Sequence, residues 1–304
     1  MSRIISVVPN VCDGQDKHWI DQLTRQLEAT PGVVVLDVSM DTTRNRTVFA
    51  LTGSPEGIFA GGIILYEESL KHIDMRRHKG EYPRIGAVDV FPFVPVKDIS
   101  MEQAVEMADE FAREVSTRFK IPVYLYEESA RFPLRKDVEK IREVQYEGLE
   151  ERLKDPRWKP DYGPDLFKPD FGATIIGARY PLTSFKIHLD TPKMDITREI
   201  CQAIQYSGGG LRHVTANAGI THETQLGEVS VAIHNYKITP LYKVIEMARM
   251  EAKRFNVNIE EVEMIGLIPE TVFLDSALYY MNINRFSTDR LLEKNIMQHL
   301  HEKL

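Results

Sequence analysis

The chain has 304 residues, 43% of them hydrophobic and 27% charged, an ordinary globular composition. At roughly 150 residues per domain, this length predicts about two domains. The net charge of −7 argues against general nucleic-acid binding. No apolar run approaches the roughly 18 residues that cross a bilayer.

Cysteine content and the N-terminus predict the compartment. Cys12 and Cys201 are too few for a disulfide framework or a cysteine metal cluster. The first residues contain neither an extended apolar segment nor a small-residue cleavage site, so we expect no signal peptide. His72 and His78 lack a third nearby ligand and zinc-site spacing. We therefore predict a cytoplasmic protein that has no metal and no membrane or nucleic-acid partner.

The first 96 residues alternate between strand and helix patterns. Runs rich in Val, Ile and Phe predict strands at residues 3–8, 33–38, 46–53 and 87–96. Apolar residues at helical spacing predict a helix that includes Trp19 and Leu27, and Ser54-Pro55 predicts the start of a second helix that runs to Ile73. The predicted order is β-α-β-β-α-β.

Less regular segments follow. Ser100 and Gln103 predict a capping box at the start of a third helix, and residues 122–126 predict a short strand. The charged residues 134–153 predict a surface helix or a pair of short ones. Residues 155–172 contain four prolines and four aromatic residues, which predicts a long ordered loop. Such a loop is either functional or a connector between two domains.

The strand and helix order then repeats. Strands are predicted at residues 184–189, 212–220, 228–234 and 258–267, with helices at residues 194–206 and from Thr239-Pro240 onward, and two helices finish the chain. The predicted fold class is therefore α+β, with two ferredoxin-like (βαββαβ) subdomains. Because the exposed sheet faces must be covered, we predict that they cover each other and leave a ligand tunnel between the two sheets.

The densest polar cluster lies at residues 74–89, between a predicted helix and a predicted strand. Arg44 and Arg46, earlier in the chain, could add to its positive charge. Arginine binds carboxylates through two parallel hydrogen bonds. The cluster is either a site for a multiply carboxylated small molecule or a solvated charged loop with internal ion pairs. For the first alternative the candidate carboxylate partners are Arg46, Lys79 and Arg84.

Motifs along the chain resemble those of the formiminotransferase family. They are Val8-Pro9-Asn10, Asn45-Arg46-Thr47, Arg77-His78-Lys79-Gly80-Glu81, Pro83-Arg84-Ile85-Gly86-Ala87-Val88-Asp89, Phe91-Pro92-Phe93-Val94-Pro95, Tyr124-Leu125-Tyr126-Glu127, Trp158-Lys159-Pro160-Asp161-Tyr162-Gly163-Pro164 and Gly177-Ala178-Arg179. The resemblance extends from about residue 3 to at least residue 280. Matches this numerous and in the same order are specific, unlike a lone glycine motif.

The resemblance implies a cytoplasmic transferase of histidine degradation. Such an enzyme moves a formimino group, or a formyl group, between glutamate and tetrahydrofolate, its co-substrate. It also implies an N-terminal subdomain over residues 1–178, a C-terminal subdomain over residues 179–304, a folate tunnel and a homodimer. Some animal members carry a fused cyclodeaminase, an activity that we do not expect here.

The resemblance also implies site residues. The folate-binding segment falls on residues 163–172, within the proline-rich loop: Gly163, Pro164, Asp165, Leu166, Phe167, Lys168, Pro169, Asp170, Phe171 and Gly172. Phe167 and Phe171 are candidate faces for the pterin or benzoyl ring, or alternatively wall residues of the domain junction.

One residue departs from the family pattern. The family's catalytic histidine stands between the Glu and the Pro of a Lys-Gly-Glu-His-Pro-Arg motif, and that position is Tyr82 here. Histidine exchanges protons near neutral pH, whereas tyrosine titrates near 10. Losing a general base typically costs about 10²–10⁴-fold in rate. His78, four residues earlier, is a possible substitute.

Three functional hypotheses remain open from the sequence. The leading one is a folate-dependent one-carbon transferase acting on glutamate or a related amine. The second is a folate-binding member of the family with little or no transfer activity, because Tyr82 replaces the histidine. The third, a nucleic-acid-binding module, is disfavoured by the net charge of −7 and by the lack of the aromatic sheet motif of such modules.

Overall fold

The computed structural model describes residues 3–221 and 223–296. The chain divides into two compact units, one up to Arg179 and the other from Tyr180 onward. Each unit has its own sheet and its own hydrophobic core. The α+β class and the presence of two separate sheets are thereby confirmed.

The N-terminal unit contains seven strands in one sheet. They are β1 Ile4–Val7, β2 Asn10–Val11, β3 Val33–Asp41, β4 Arg46–Gly53, β5 Val88–Lys97, β6 Val123–Leu125 and β7 Thr174–Ala178. The strands lie in the order β3-β4-β1/β2-β5-β7-β6. The pairs on either side of β7, with β5 and with β6, are parallel, and the other pairs are antiparallel. Strand β1 lies within the first predicted strand, whereas β2 and β7 were not predicted.

Three long helices pack against this sheet: α1 Lys17–Glu28, α2 Pro55–His72 and α3 Met101–Phe119. Their starts follow from local hydrogen bonding. The Ser54 side chain accepts a bond from the Gly57 amide ahead of Pro55, and Ser100 and Gln103 form the predicted capping box. Between the helices and the sheet lies a cluster of aromatic rings that includes Tyr66, Phe91 and Phe111.

The charged segment after β6 forms short helices rather than one long one. The two α-helical pieces are α4 Val138–Arg142 and α5 Leu149–Arg152, so the prediction of a pair of short helices is confirmed. The prediction that the segment lies on the surface is only partly right. Arg135 and Arg142 are buried, because each pairs with an aspartate in the interior of the unit.

The C-terminal unit has a four-stranded antiparallel sheet. Its strands are β8 Thr183–Leu189, β9 Val214–Ile220, β10 Gly227–Ile233 and β11 Ile259–Ile265, and they lie in the order β11-β8-β10-β9. Its helices are α6 Met194–Ile204, α7 Leu241–Arg254 and α8 Glu270–Tyr280. Along β8 and β10 every second residue is buried, so one sheet face is covered and the other is more accessible. The second of the two predicted final helices lies partly outside the described residues.

Within the described ranges, none of the helices combines the length and the apolar character that a membrane span requires.

Candidate active site

Tyr82 lies in the irregular segment between α2 and β5, and its side chain is half-buried between two arginines. The guanidinium carbon of Arg46, on β4, is 4.1 Å from the centroid of the Tyr82 ring. The guanidinium carbon of Arg142, at the end of α4, is 5.3 Å from the same centroid. Arg142 Nη1 donates a hydrogen bond of 3.3 Å to the Tyr82 hydroxyl. Residues far apart in the sequence thus surround Tyr82.

Arg142 is held in turn by a carboxylate of the interior. Asp89, on β5, is 1% exposed and accepts a hydrogen bond from Arg142 Nη2 through Oδ2. Its other oxygen accepts a bond of 2.9 Å from the Ile85 amide. Because both oxygens of Asp89 are satisfied, the ion pair is fixed in place, and a continuous chain of polar contacts leads from Asp89 through Arg142 to Tyr82.

The surroundings of Tyr82 change its acidity. Burial raises the pKa of the phenol, but the positive charges of Arg142 and Arg46 outweigh that effect and lower the pKa below its ordinary value near 10. Asp89, beyond Arg142, works in the opposite direction. The site therefore favours the phenolate more than water does.

His78 is committed to protein partners. Its Nδ1 lies 3.2 Å from Arg84 Nε, which donates, and its Nε2 lies 2.9 Å from the Asn45 carbonyl oxygen, which accepts. These partners assign the neutral tautomer with the proton on Nε2. Burial lowers the pKa of His78. With both ring nitrogens occupied, the geometry argues against His78 as a substitute base.

Arg84 also has a partner within the protein. It is 5% exposed, and its two terminal nitrogens lie 2.8 and 2.6 Å from the carboxylate oxygens of Glu147. This fork occupies the groups that a substrate carboxylate would need, so the geometry argues against Arg84 as a substrate partner.

The other predicted carboxylate partners are more accessible. Arg46 is half-buried and donates to Asn10 Oδ1 with Nε, at 3.1 Å, and with Nη2. The Lys79 side chain is exposed. Arg76 and Arg77, in contrast, pair with Asp74 at the surface, as the charged-loop alternative predicts. An open cleft of about 550 Å³ lies beside Tyr82, lined by Asp41, Thr43, Arg44, Glu81 and Tyr82.

The predicted folate segment is hydrogen-bonded to the segment that carries Tyr82. The Ala87 amide donates to the Phe171 carbonyl at 2.9 Å, and the Ala173 amide donates to the Ile85 carbonyl at 2.9 Å. A Cβ on Gly86 would lie 2.0 Å from the Ala173 carbonyl oxygen, so only glycine allows this close approach. Both ends of the segment, Gly163 and Gly172, have positive φ.

The two phenylalanines of this segment have different environments. Phe171 is 0% exposed and stacks on Tyr66 with ring centroids 6.3 Å apart, so it presents no ring face to a ligand and belongs to the core of the N-terminal unit. Phe167 is half-buried, with its ring 5.4 Å from the Tyr146 ring. Of the remaining residues, Leu166 is 72% exposed, and Lys168 Nζ donates to the Phe119 carbonyl at 3.2 Å.

Two residues of the site were missed as functional from the sequence. Arg142 lies in a charged segment where nothing distinguishes it from its exposed neighbours. Asp89 does carry a signal, because an ionisable residue in an apolar strand requires a buried partner. Among the described residues, no group of three His, Cys, Asp or Glu side chains is placed to hold a metal ion.

Comparisons with known proteins show which family this chain belongs to. Residues 4–179 match the model of the formiminotransferase domain, N-terminal subdomain, and residues 193–302 match that of the formiminotransferase domain. The chain is 37% identical to the glutamate formimidoyltransferase of Streptococcus pyogenes, over 97% of this chain and 99% of that protein. It is also 37% identical to the glutamate formimidoyltransferase of Thermoplasma acidophilum, over 96% and 97% of the two chains.

A longer relative extends the comparison. The formimidoyltransferase-cyclodeaminase of Rattus norvegicus is 37% identical over 92% of this chain but only 53% of its own length. The chain belongs to the formiminotransferase family.

Proposed function

We propose that the protein is a folate-dependent glutamate formimidoyltransferase. It moves a formimino group between glutamate and N5 of tetrahydrofolate, which serves as co-substrate. The observation that carries this proposal is the 37% identity to a glutamate formimidoyltransferase over 97% of the chain and 99% of that relative. A formyl group is the second candidate for the transferred unit.

The proposal also includes an architecture for the two units. We propose a ferredoxin-like topology for residues 1–178 and 179–304, and the strand orders β3-β4-β1/β2-β5 and β9-β10-β8-β11 support this proposal. The folate tunnel, the homodimer and a cytoplasmic location are further parts of the proposal. Both cysteines are free thiols, which agrees with a reducing compartment.

The proposed site lies around the cleft beside Tyr82. We propose that Tyr82 exchanges the proton that formimino transfer requires, and that residues 163–172 contact the folate. Arg46 and Lys79 remain the proposed partners of substrate carboxylates, because their side chains are accessible, whereas Arg84 is engaged by Glu147. Phe167, rather than the buried Phe171, is the proposed ring contact.

A second candidate function is folate binding without transfer. The observation that favours it is a tyrosine at residue 82, where the resemblance leads us to expect the catalytic histidine of the family. It differs from the main proposal only in the chemical step, so binding and transfer must be measured separately.

Calorimetry with folinic acid and a steady-state assay of transfer from 5-formimino-tetrahydrofolate to glutamate together test the proposal. Binding with transfer supports the transferase, and binding without transfer supports the second candidate. No heat and no thermal shift with millimolar folinic acid would contradict both.

A further inference from the structure

Arg142 connects Tyr82 with a fully enclosed anion. On one side its Nη2 donates to Asp89, and on the other its Nη1 donates to the Tyr82 hydroxyl at 3.3 Å. Asp89 is itself fixed by the Ile85 amide at 2.9 Å. The Nε of Arg142 has no hydrogen-bond partner among the described residues, so these two contacts alone orient the guanidinium.

The chemistry of the guanidinium fixes the direction of the bond to tyrosine. Arginine stays protonated in proteins and has no acceptor, so Nη1 can only donate and the Tyr82 oxygen must accept. A phenolate accepts such a charge-assisted bond more strongly than a phenol does. The contact therefore stabilises the ionised form of Tyr82 and leaves the phenol hydrogen free to point elsewhere.

We propose that Arg142, anchored by Asp89, is a positioning residue that fixes the orientation of the Tyr82 hydroxyl and stabilises its anionic form. Nothing in the family match assigns this role to Arg142. A buried guanidinium is costly unless it is paired, and here the pair with Asp89 leaves Arg142 Nη1 to donate to the Tyr82 hydroxyl.

The catalytic meaning of this arrangement rests on the proposed function. In transfer to glutamate, the amine nitrogen forms a bond to the formimino carbon while the bond between that carbon and folate N5 breaks. One proton leaves the amine and one reaches N5. The Tyr82 oxygen takes the first as an anion and returns it as a phenol, so the enzyme regains its starting state after each turnover.

The other charges around Tyr82 are of both signs. Arg46 lies over the ring and favours the anion, whereas Asp89 opposes it. The cleft beside Tyr82 adds Asp41, Arg44 and Glu81. Burial raises the pKa of Tyr82, and the two arginines together more than offset this, so the net direction agrees with the contact geometry.

A spectroscopic titration of Tyr82 tests the inference without any assay of activity. Tyrosinate absorbance is followed against pH in the full-length wild type, Arg142→Gln and Arg142→Lys. The same proteins carrying Tyr82→Phe provide the signal of the other tyrosines, which is subtracted. We expect Arg142→Gln to raise the pKa of Tyr82 by about one unit or more, and Arg142→Lys, which keeps the charge, to retain most of the wild-type pKa.

Arg135 offers a matched control in the same unit. It is 2% exposed and pairs with Asp161 at 2.7 Å, and its Nε likewise has no hydrogen-bond partner among the described residues. Arg135→Gln breaks a comparable buried pair without removing a contact to Tyr82, so the pKa of Tyr82 should not move. An unchanged pKa in Arg142→Gln, or an equal shift in Arg135→Gln, would overturn the inference.

Two further measurements keep the test decisive. If Arg142→Gln does not fold, the double variant Asp89→Asn/Arg142→Gln removes the unpaired carboxylate, and we still expect a raised pKa. In the active enzyme, the transfer rate should increase with pH. In Arg142→Gln this increase should occur at a higher pH, and the displacement should equal the change in the pKa of Tyr82 measured by the titration. A wild type without transfer would refute the proposed function, while the titration would still decide the role of Arg142.

Discussion

The two units share an order of strands and helices but differ in what they bury. Among the described residues, the charged residues that are buried as a whole all lie in the N-terminal unit: Arg84, Asp89, Arg135 and Arg142. The buried polar residues of the described C-terminal unit are uncharged, namely Thr183, Thr191, Thr197, Asn235, Thr239 and Ser276. Burying an ion costs several kcal/mol unless it is paired, so each of these charges requires a partner inside the unit.

The difference also explains how an irregular segment is held in place. Residues 127–172 contain only short helices and loops, yet Tyr162 forms a β-bridge with Val123 on the edge strand β6. Arg135 donates to Asp161 at 2.7 Å and to the Lys159 carbonyl at 2.7 Å, which fixes the start of the predicted folate segment. Arg142 reaches back to Asp89 on β5. The C-terminal unit has no comparable long insertion within its described residues: α6 packs on β9 and β10, α7 packs against α6, and α8 packs against α7.

The largest effect should come from removing the Tyr82 hydroxyl. Tyr82→Phe keeps the ring beneath Arg46 but removes the oxygen that accepts from Arg142, so we expect turnover to fall by about 10²–10⁴-fold. Folate affinity should stay near the wild-type value, because the proton moves only on the way through the transition state. Steady-state transfer and calorimetry measure the two quantities, and equal turnover in both proteins would refute a role for the hydroxyl.

Breaking the buried ion pair between Asp89 and Arg142 should strongly lower the stability of the protein. Asp89→Ala leaves Arg142 as an unpaired buried cation, and we expect the free energy of unfolding to fall by about 3–5 kcal/mol. Lys17→Ala removes an exposed pair with Asp21 in the same unit and should change the free energy of unfolding by less than about 0.5 kcal/mol. Denaturant unfolding compares them, and a similar loss in both variants would contradict the account.

Substitutions of the two phenylalanines in residues 163–172 should have different effects, one on stability and the other on folinic acid binding. Phe171 is enclosed beside Tyr66, so Phe171→Ala should lower the free energy of unfolding by about 3–5 kcal/mol. Phe167 is only half-buried, so Phe167→Ala should cost less stability and instead weaken folinic acid binding. Thermal melts and calorimetry of the two variants test this, and unchanged folinic acid affinity in Phe167→Ala would count against the ring contact.

A buried hydroxyl of the C-terminal unit should show the smallest effect. Thr197, on α6, is fully buried and donates to the Lys193 carbonyl at 3.1 Å. Thr197→Val removes this neutral bond and keeps the shape, so we expect a loss of about 1 kcal/mol in the free energy of unfolding and no change in transfer. A loss as large as that of Asp89→Ala, measured by the same denaturant unfolding, would remove the contrast between the two units.

The regular elements could be predicted from the sequence because their signals are local. The capping box at Ser100 and the proline after Ser54 fix helix starts by bonds within a few residues. Strand β7 was missed because it follows a loop rich in proline, and its pairing with β5 and β6 comes from chain far away. A β-strand signal of only five residues, Thr174–Ala178, did not stand out beside that loop.

The site was predicted only in outline for the same reason. The motif around Tyr82 located the segment, but the partners of its side chains lie on other elements. Arg84 was expected to meet a substrate and instead binds Glu147, and His78 is held by Asn45 and Arg84. Arg142 approaches Tyr82 across 60 residues of sequence, a pairing that no spacing rule predicts.

The most direct test of the central claim is the turnover number as a function of pH for the wild type and Tyr82→His. A base works in its deprotonated form, so the wild-type rate should rise as pH increases through the pKa of Tyr82, which lies below the usual 10. An imidazole titrates near 6.5, so Tyr82→His should move that rise to lower pH and raise turnover at neutral pH. Folate binding, measured separately, should be equal in both proteins. If the two proteins show the same turnover at every pH, Tyr82 is not the group that exchanges the proton, and the placement of the active site around it is wrong.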